Sequence, residues 1–76
     1  MILTRGKKGQ EYRTEQINLQ ENLLRRLEVL GLTEGTVISV VNKNFNGSMI
    51  IRVRGTRFAI GKKVAEGIFV REVKQK

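Results

Sequence analysis

Leu24-Arg25-Arg26-Leu27-Glu28-Val29-Leu30-Gly31-Leu32-Thr33-Glu34-Gly35-Thr36 is the stretch on which the fold turns. Leu23, Leu24, Leu27 and Leu30 fall at i, i+1, i+4 and i+7, the single apolar stripe of a helix whose other face is charged. Gly31 suits the left-handed residue that ends such a helix, because it carries no Cβ to penalise a positive φ. Leu32 then folds back onto Leu27, and both belong to the core. Thr33-Glu34-Gly35 reads as a turn, with Gly35 at its close.

Upstream, Asn18 is a good N-cap, and Glu21 three residues later completes a capping-box-like pair at the positive end of the dipole. The helix is therefore expected over residues 18–30. Residues 11–17 alternate weakly and read as a short strand. Residues 1–10, polar and holding Gly6 and Gly9, read as a flexible lead-in.

Downstream the period becomes two. Thr36-Val37-Ile38-Ser39-Val40-Val41 is a strand rich in β-branched residues. Residues 42–48 form an Asn-rich loop whose Asn46-Gly47 step favours a tight turn. Residues 49–54 make the next strand, with Ile51 and Val53 on one face and Arg52 and Arg54 on the other. Gly55-Thr56 reverses the chain, and Arg57-Phe58-Ala59-Ile60 returns with Phe58 and Ile60 inward. Residues 61–67 are long enough for one helical turn ending at Gly67. Residues 68–73 are the last strand, and 74–76 a frayed tail. About five short strands and one helix in a single domain over 11–73 favour a mainly β, small barrel, since closure removes exposed edges and the helix covers an open end.

Composition narrows the function. With 76 residues the core is thin. No Cys or His is present, and all seven acids are Glu, so no nucleophile–base pair can be named and Ser39 and Ser48 have no imidazole to activate them. Glu21 and Glu28 project from nearly one helix face, where exposed salt bridging is the ordinary explanation. An enzyme is not expected. Neither a signal-type apolar segment nor a membrane-length one is visible, and the expected location is the cytoplasm. Fifteen Lys and Arg give a net charge of +8, spread along the chain without a block of like charges.

Three segments resemble, in order, the hallmarks of the FeoA family, the small cytosolic proteins of bacterial ferrous iron uptake. The first is the arginine-leucine helix, Leu30-Gly31-Leu32 and the Gly35-Thr36 turn into a strand. The second is Ile50-Ile51-Arg52-Val53-Arg54-Gly55-Thr56-Arg57-Phe58-Ala59-Ile60. The third is Ala65-Glu66-Gly67-Ile68-Phe69-Val70. Thr14 stands where the family tends to have an aliphatic residue, and Glu34 where it usually has proline. The resemblance implies an SH3-like barrel with an inserted helix. It also implies a non-catalytic interaction module that docks on the cytosolic portion of the FeoB-type GTP-binding permease and modulates it.

Transition metal, Fe²⁺ in particular, enters only through that resemblance. Without His, Cys or Asp no ligand set is visible, and no cofactor is expected. Two features are candidates for partner binding. One is Arg52, Arg54 and Arg57, read as a cationic hairpin face against its alternative as a plain solvated surface. The other is Phe45, an aromatic in a polar loop that either meets a partner or folds under onto the barrel. Two rival functions are open to such a barrel. A basic barrel could bind nucleic acid, but Phe58 and Phe69 read as core, which leaves too few aromatics for stacking. A detached SH3-like domain of an iron-responsive regulator would lack its DNA-reading helices.

Overall fold

The computed structural model describes residues 1–74. After a short 3₁₀ turn at Leu3–Arg5 come β1 (Glu11–Ile17), α1 (Glu21–Val29), β2 (Val37–Lys43), β3 (Met49–Val53), β4 (Thr56–Ile60), α2 (Lys62–Glu66) and β5 (Ile68–Glu72). The strands form one antiparallel sheet in the order β4-β3-β2-β1-β5. The mainly β fold with one long helix is as the residue pattern implies. β4 and β5 end the strand order and do not pair with each other among the described residues. Of the expected frayed tail, Gln75 and Lys76 lie outside the described residues.

The first ten residues are built in, and the flexible lead-in is corrected. Ile2 bridges to Phe69, the Val70 N–H donates to the Met1 carbonyl at 2.7 Å, and the Met1 ammonium donates to the Val70 carbonyl at 2.9 Å. This segment covers the outer edge of β5, an edge that would otherwise expose a row of backbone groups. Leu3 is fully buried beneath it. Lys7 N–H donates to the hydroxyl of buried Tyr12 at 2.7 Å, and Gly9 N–H to the Val40 carbonyl at 2.8 Å.

The helix starts later than residues 18–30 implied. Asn18 donates its backbone N–H to the Gly67 carbonyl at 2.7 Å, extending the β1–β5 ladder by one step, and stands two residues before the N-cap position. Gln20 holds the N-cap position without a side-chain bond. Only Leu27 of the stripe is buried; Leu23 and Leu24 are half-buried, and Leu30 is 40% exposed. Of the stripe, Leu27 alone belongs to the core cluster.

Its C-terminus closes as the sequence implies. Gly31 has φ +91°. Leu32 N–H donates to the Leu27 carbonyl at 2.8 Å and Gly31 N–H to that of Glu28 at 2.9 Å, the two bonds of a Schellman motif. Leu27 and Leu32 both enter the core. The next turn is fastened to β1: Gly35 N–H donates to the Thr14 carbonyl and Thr14 N–H to that of Thr36.

β2 runs on to Lys43 because an irregularity at Val41 shifts the register between Val40↔Ile51 and Asn42↔Ile50. The β3–β4 connection is a two-residue turn. Val53 pairs with Thr56, while Arg54 (φ +50°) and Gly55 (φ +83°) are both left-handed, as a primed hairpin turn requires. Arg54 is therefore a turn residue, and its placement on a strand face is corrected. Phe58 is half-buried against the core. Phe69, read as core, is also only half-buried, since Ile68 and Val70 take the inward positions of β5.

Thr14 sits on the inner side of β1, 2% exposed, with no hydrogen-bond partner for its hydroxyl. A buried unpaired hydroxyl carries an uncompensated desolvation cost. Thr14→Val keeps the shape and removes the cost. It is expected to stabilise the domain by about 1 kcal/mol, read as a rise of roughly 4–8 °C in the thermal midpoint; an unchanged or lower midpoint contradicts this account of Thr14.

Candidate docking surface

Acids and bases are distributed unevenly. Between Glu34 and Glu66 stand Lys43, Arg52, Arg54, Arg57, Lys62 and Lys63, with no acid. The cations are spread along the chain as read, but the carboxylates that could balance them are confined to either side of β2–β4. Because these strands are neighbours in the sheet, they form a flank with cations and no acid of its own, bordered by Glu11 of β1, which accepts from Ser39 Oγ at 3.5 Å.

Within that flank the register selects two of the three expected arginines. Arg52 and Arg57 are direct cross-strand partners on the outer face, and both are exposed. Like charges placed opposite each other oppose sheet stability. Neither makes an ion pair among the described residues, where Glu21–Arg25 at 2.6 Å and Glu15–Arg71 at 3.9 Å are the pairs seen. Arg54 is taken elsewhere: its Nε donates to the Gly31 carbonyl at 3.1 Å, at the end of α1. The three expected arginines do not converge; the hairpin turn hands Arg54 to the helix and leaves Arg52 and Arg57 as a pair.

Beside that pair runs an open groove of about 780 Å³. Val41, Ile50, Phe58 and Ala59 line it, with Lys8 and Arg57 among its walls. Ile50 and Ala59 are cross-strand partners two residues along from Arg52 and Arg57, so they share the outer face with the cations. Lys8 was not foreseen, because the segment that carries it had been read as loose. On the other side of β4 a smaller cleft of about 180 Å³ lies between α1, β4 and α2, with Leu23, Leu30 and Val64 among its walls.

Phe45 does not fold under. It is fully exposed at the tip of the β2–β3 loop. Arg52 lies at the opposite end of β3, next to the Arg54-Gly55 turn, so the two candidate features occupy different ends of one hairpin.

Glu21, the acid weighed alongside Glu28, is engaged by Arg25 one helical turn on. No three His, Cys, Asp or Glu side chains converge on a metal-sized site among the described residues. A transition-metal centre does not fit this donor set. No helix among the described residues is long and apolar enough to cross a membrane.

The model of the FeoA domain matches residues 1–72. The chain belongs to the FeoA family. A protein of Methanocaldococcus jannaschii described as an Fe(2+) transport protein A is 31% identical over 67 residues, covering 88% of this chain and 80% of that one. Among solved structures, an iron uptake regulatory protein named FeoA superposes with a TM-score of 0.87 at 34% identity, covering 96% of this chain and 97% of the other. The FeoA of Stenotrophomonas maltophilia, described as a procaryotic SH3 domain protein and crystallised with zinc, gives a TM-score of 0.75 at 27% identity over 92% and 88% of the two chains. This chain is accordingly a FeoA-like ferrous iron transport protein with an SH3-like fold. The family match begins at residue 1, in keeping with the structured N-terminal segment.

For this FeoA domain, isothermal calorimetry is expected to show no sub-micromolar binding of Fe²⁺ or Mn²⁺ to the isolated protein, for want of converging ligands. A saturable one-to-one isotherm in that range contradicts the expectation.

Proposed function

We propose that this FeoA-family chain is a non-catalytic docking module that acts in the cytoplasm on a FeoB-type GTP-binding iron permease. In this reading Fe²⁺ is the permease's cargo and is not held by the module. The single observation that carries the choice of surface is the exposed Arg52–Arg57 pair, without an ion pair among the described residues and set beside an apolar groove. Two guanidinium forks side by side suit an acidic partner surface, since each pairs a carboxylate through two parallel hydrogen bonds. Family membership supports the iron transport setting, and the absence of histidine and cysteine fits a role through binding alone.

Docking of this kind modulates a transporter by population shift. A module that binds one conformation of the permease better than another moves the equilibrium toward it by the difference in the two affinities. Charges at the edge of the contact mainly speed encounter, and the groove beside them supplies the short-range fit.

The double variant Arg52→Ala/Arg57→Ala is expected to fold normally, within about 0.5 kcal/mol of the parent, as ordinary surface positions do. Its association rate with the permease's cytosolic domain should fall at least tenfold, a modest share of what charge steering can supply, with a flatter dependence on salt. Arg54→Ala should instead lower stability through the loss of its bond to Gly31 and leave the salt dependence in place. Undiminished binding by a normally folded double variant removes this surface from the interface.

A further inference from the structure

Phe45 is left without a role by the arginine surface, and its setting is specific. The loop that carries it is braced from within. Asn44 N–H donates to the Ser48 carbonyl at 2.9 Å, and Gly47 N–H to that of Asn44 at 3.0 Å. The Asn44 side-chain amide donates to Ser48 Oγ at 2.8 Å, and Ser48 Oγ donates to Asn46 Oδ1 at 2.7 Å. Gly47 at φ +88° allows the reversal. Every polar side chain of the tip is thus spent inside the loop, and Phe45 alone projects from it, 112% exposed. A ring held out on a braced tip is presented at low entropic cost to whatever receives it.

What surrounds the tip indicates the receiver. Lys43 leads into the loop at the end of β2 and is exposed. The stem of Lys62 lies against Gly47, so closely that a Cβ added there would stand 2.7 Å from Lys62 Cγ. Lys63 follows on α2 and is also exposed. None of the three makes an ion pair among the described residues, and Glu66, at the end of α2, is the one acid on the elements that carry them. The cations at this end are all lysines, whereas the sheet face carries Arg52 and Arg57 together with Lys8. Lysine offers a strongly hydrated point charge on a long apolar stem, suited to diffuse anionic headgroups rather than to forked recognition of single carboxylates.

We infer that the Phe45 tip inserts into the interface of an anionic lipid bilayer, with Lys43, Lys62 and Lys63 on the headgroups. A convex tip bearing one aromatic ring needs no matching pocket in a bilayer, because the headgroup–acyl boundary accepts such rings directly. Each lysine near an anionic surface strengthens partitioning about fivefold, and ring and charges together supply the two signals that stable peripheral binding requires. The tip lies at the far end of the β2–β3–β4 hairpins from Arg52 and Arg57, so both surfaces are available at once. This inference does not depend on the arginine surface.

Phe45→Trp tests it directly, because the chain contains no other tryptophan. Vesicles of phosphatidylglycerol and phosphatidylcholine are expected to shift its emission to the blue and to sediment the protein, with both effects reversed by salt; phosphatidylcholine alone should do neither. Phe45→Ser and the triple variant Lys43→Gln/Lys62→Gln/Lys63→Gln should each lower vesicle binding at least tenfold with unchanged melting. Arg52→Ala/Arg57→Ala should retain it within about twofold, which keeps this result separate from the docking test. Absence of a shift with anionic vesicles overturns the inference. So does Phe45→Ser sedimenting like the parent, which would mean charge adsorption only. A blue shift given by the permease's cytosolic domain and not by vesicles would overturn it in favour of a protein contact.

Discussion

The bond from Leu32 N–H to the Leu27 carbonyl, made possible by left-handed Gly31, is the constraint on which the rest of the structure depends. α1 places one fully buried leucine in the core, and a nine-residue helix with so little burial has small stability of its own. It holds because the chain turns back at Gly31 and drives Leu32, fully buried, in beside Leu27. The same turn aims the chain at Gly35, whose bond to Thr14 delivers β2 to its place beside β1. Arg54 then reaches across from the β3–β4 turn to the Gly31 carbonyl, a cation at the negative end of the helix dipole. Helix end, β1 and the far hairpin thus meet within a few residues of Gly31.

Folding duties are concentrated accordingly, and this leaves the other surfaces free. β2, β3 and β4 give Ile38, Val40, Met49, Ile51, Val53 and Ile60 to the core, while their outer residues support nothing inside. A sheet can then tolerate two arginines directly opposed, and a loop can hold a phenylalanine in solvent, because neither feature is asked to stabilise the fold. Exposed charges and rings that the core does not use are where selection for binding acts, and both occur on the acid-free flank. In a domain with so small a core, this separation lets interaction surfaces change without loss of the barrel.

Much of the fold was legible in the sequence because its signals are local. The leucine stripe, the glycine after it, the strand periodicity and the single turn before Gly67 each depend on neighbours in the chain. What was not legible depends on partners far away. Nothing in Met1-Ile2-Leu3 announces a segment that covers β5, because its partners lie some seventy residues on. Asn18 is a sound cap by local rules, yet the ladder with Gly67 continues through it and the helix begins only at Glu21. Arg54 continues an alternating strand by pattern, but the two-residue turn needs a positive φ at its position. Of the candidate site, the Arg52–Arg57 pair followed from period and register, whereas Lys8 and the groove needed three strands and the N-terminal segment to be assembled. The exposure of Phe45 was left open between two readings, and only the internal hydrogen bonds of its loop decide it.

Native-state hydrogen exchange at the Leu32 amide tests most directly whether the helix closure governs the domain. If it does, this amide opens only with global unfolding, and its opening free energy equals that from chemical denaturation. Exchange as fast as that of the Asn46 amide in the β2–β3 loop would show that the end of α1 opens by itself, and would contradict the dependence of the barrel on the Leu27–Gly31–Leu32 turn.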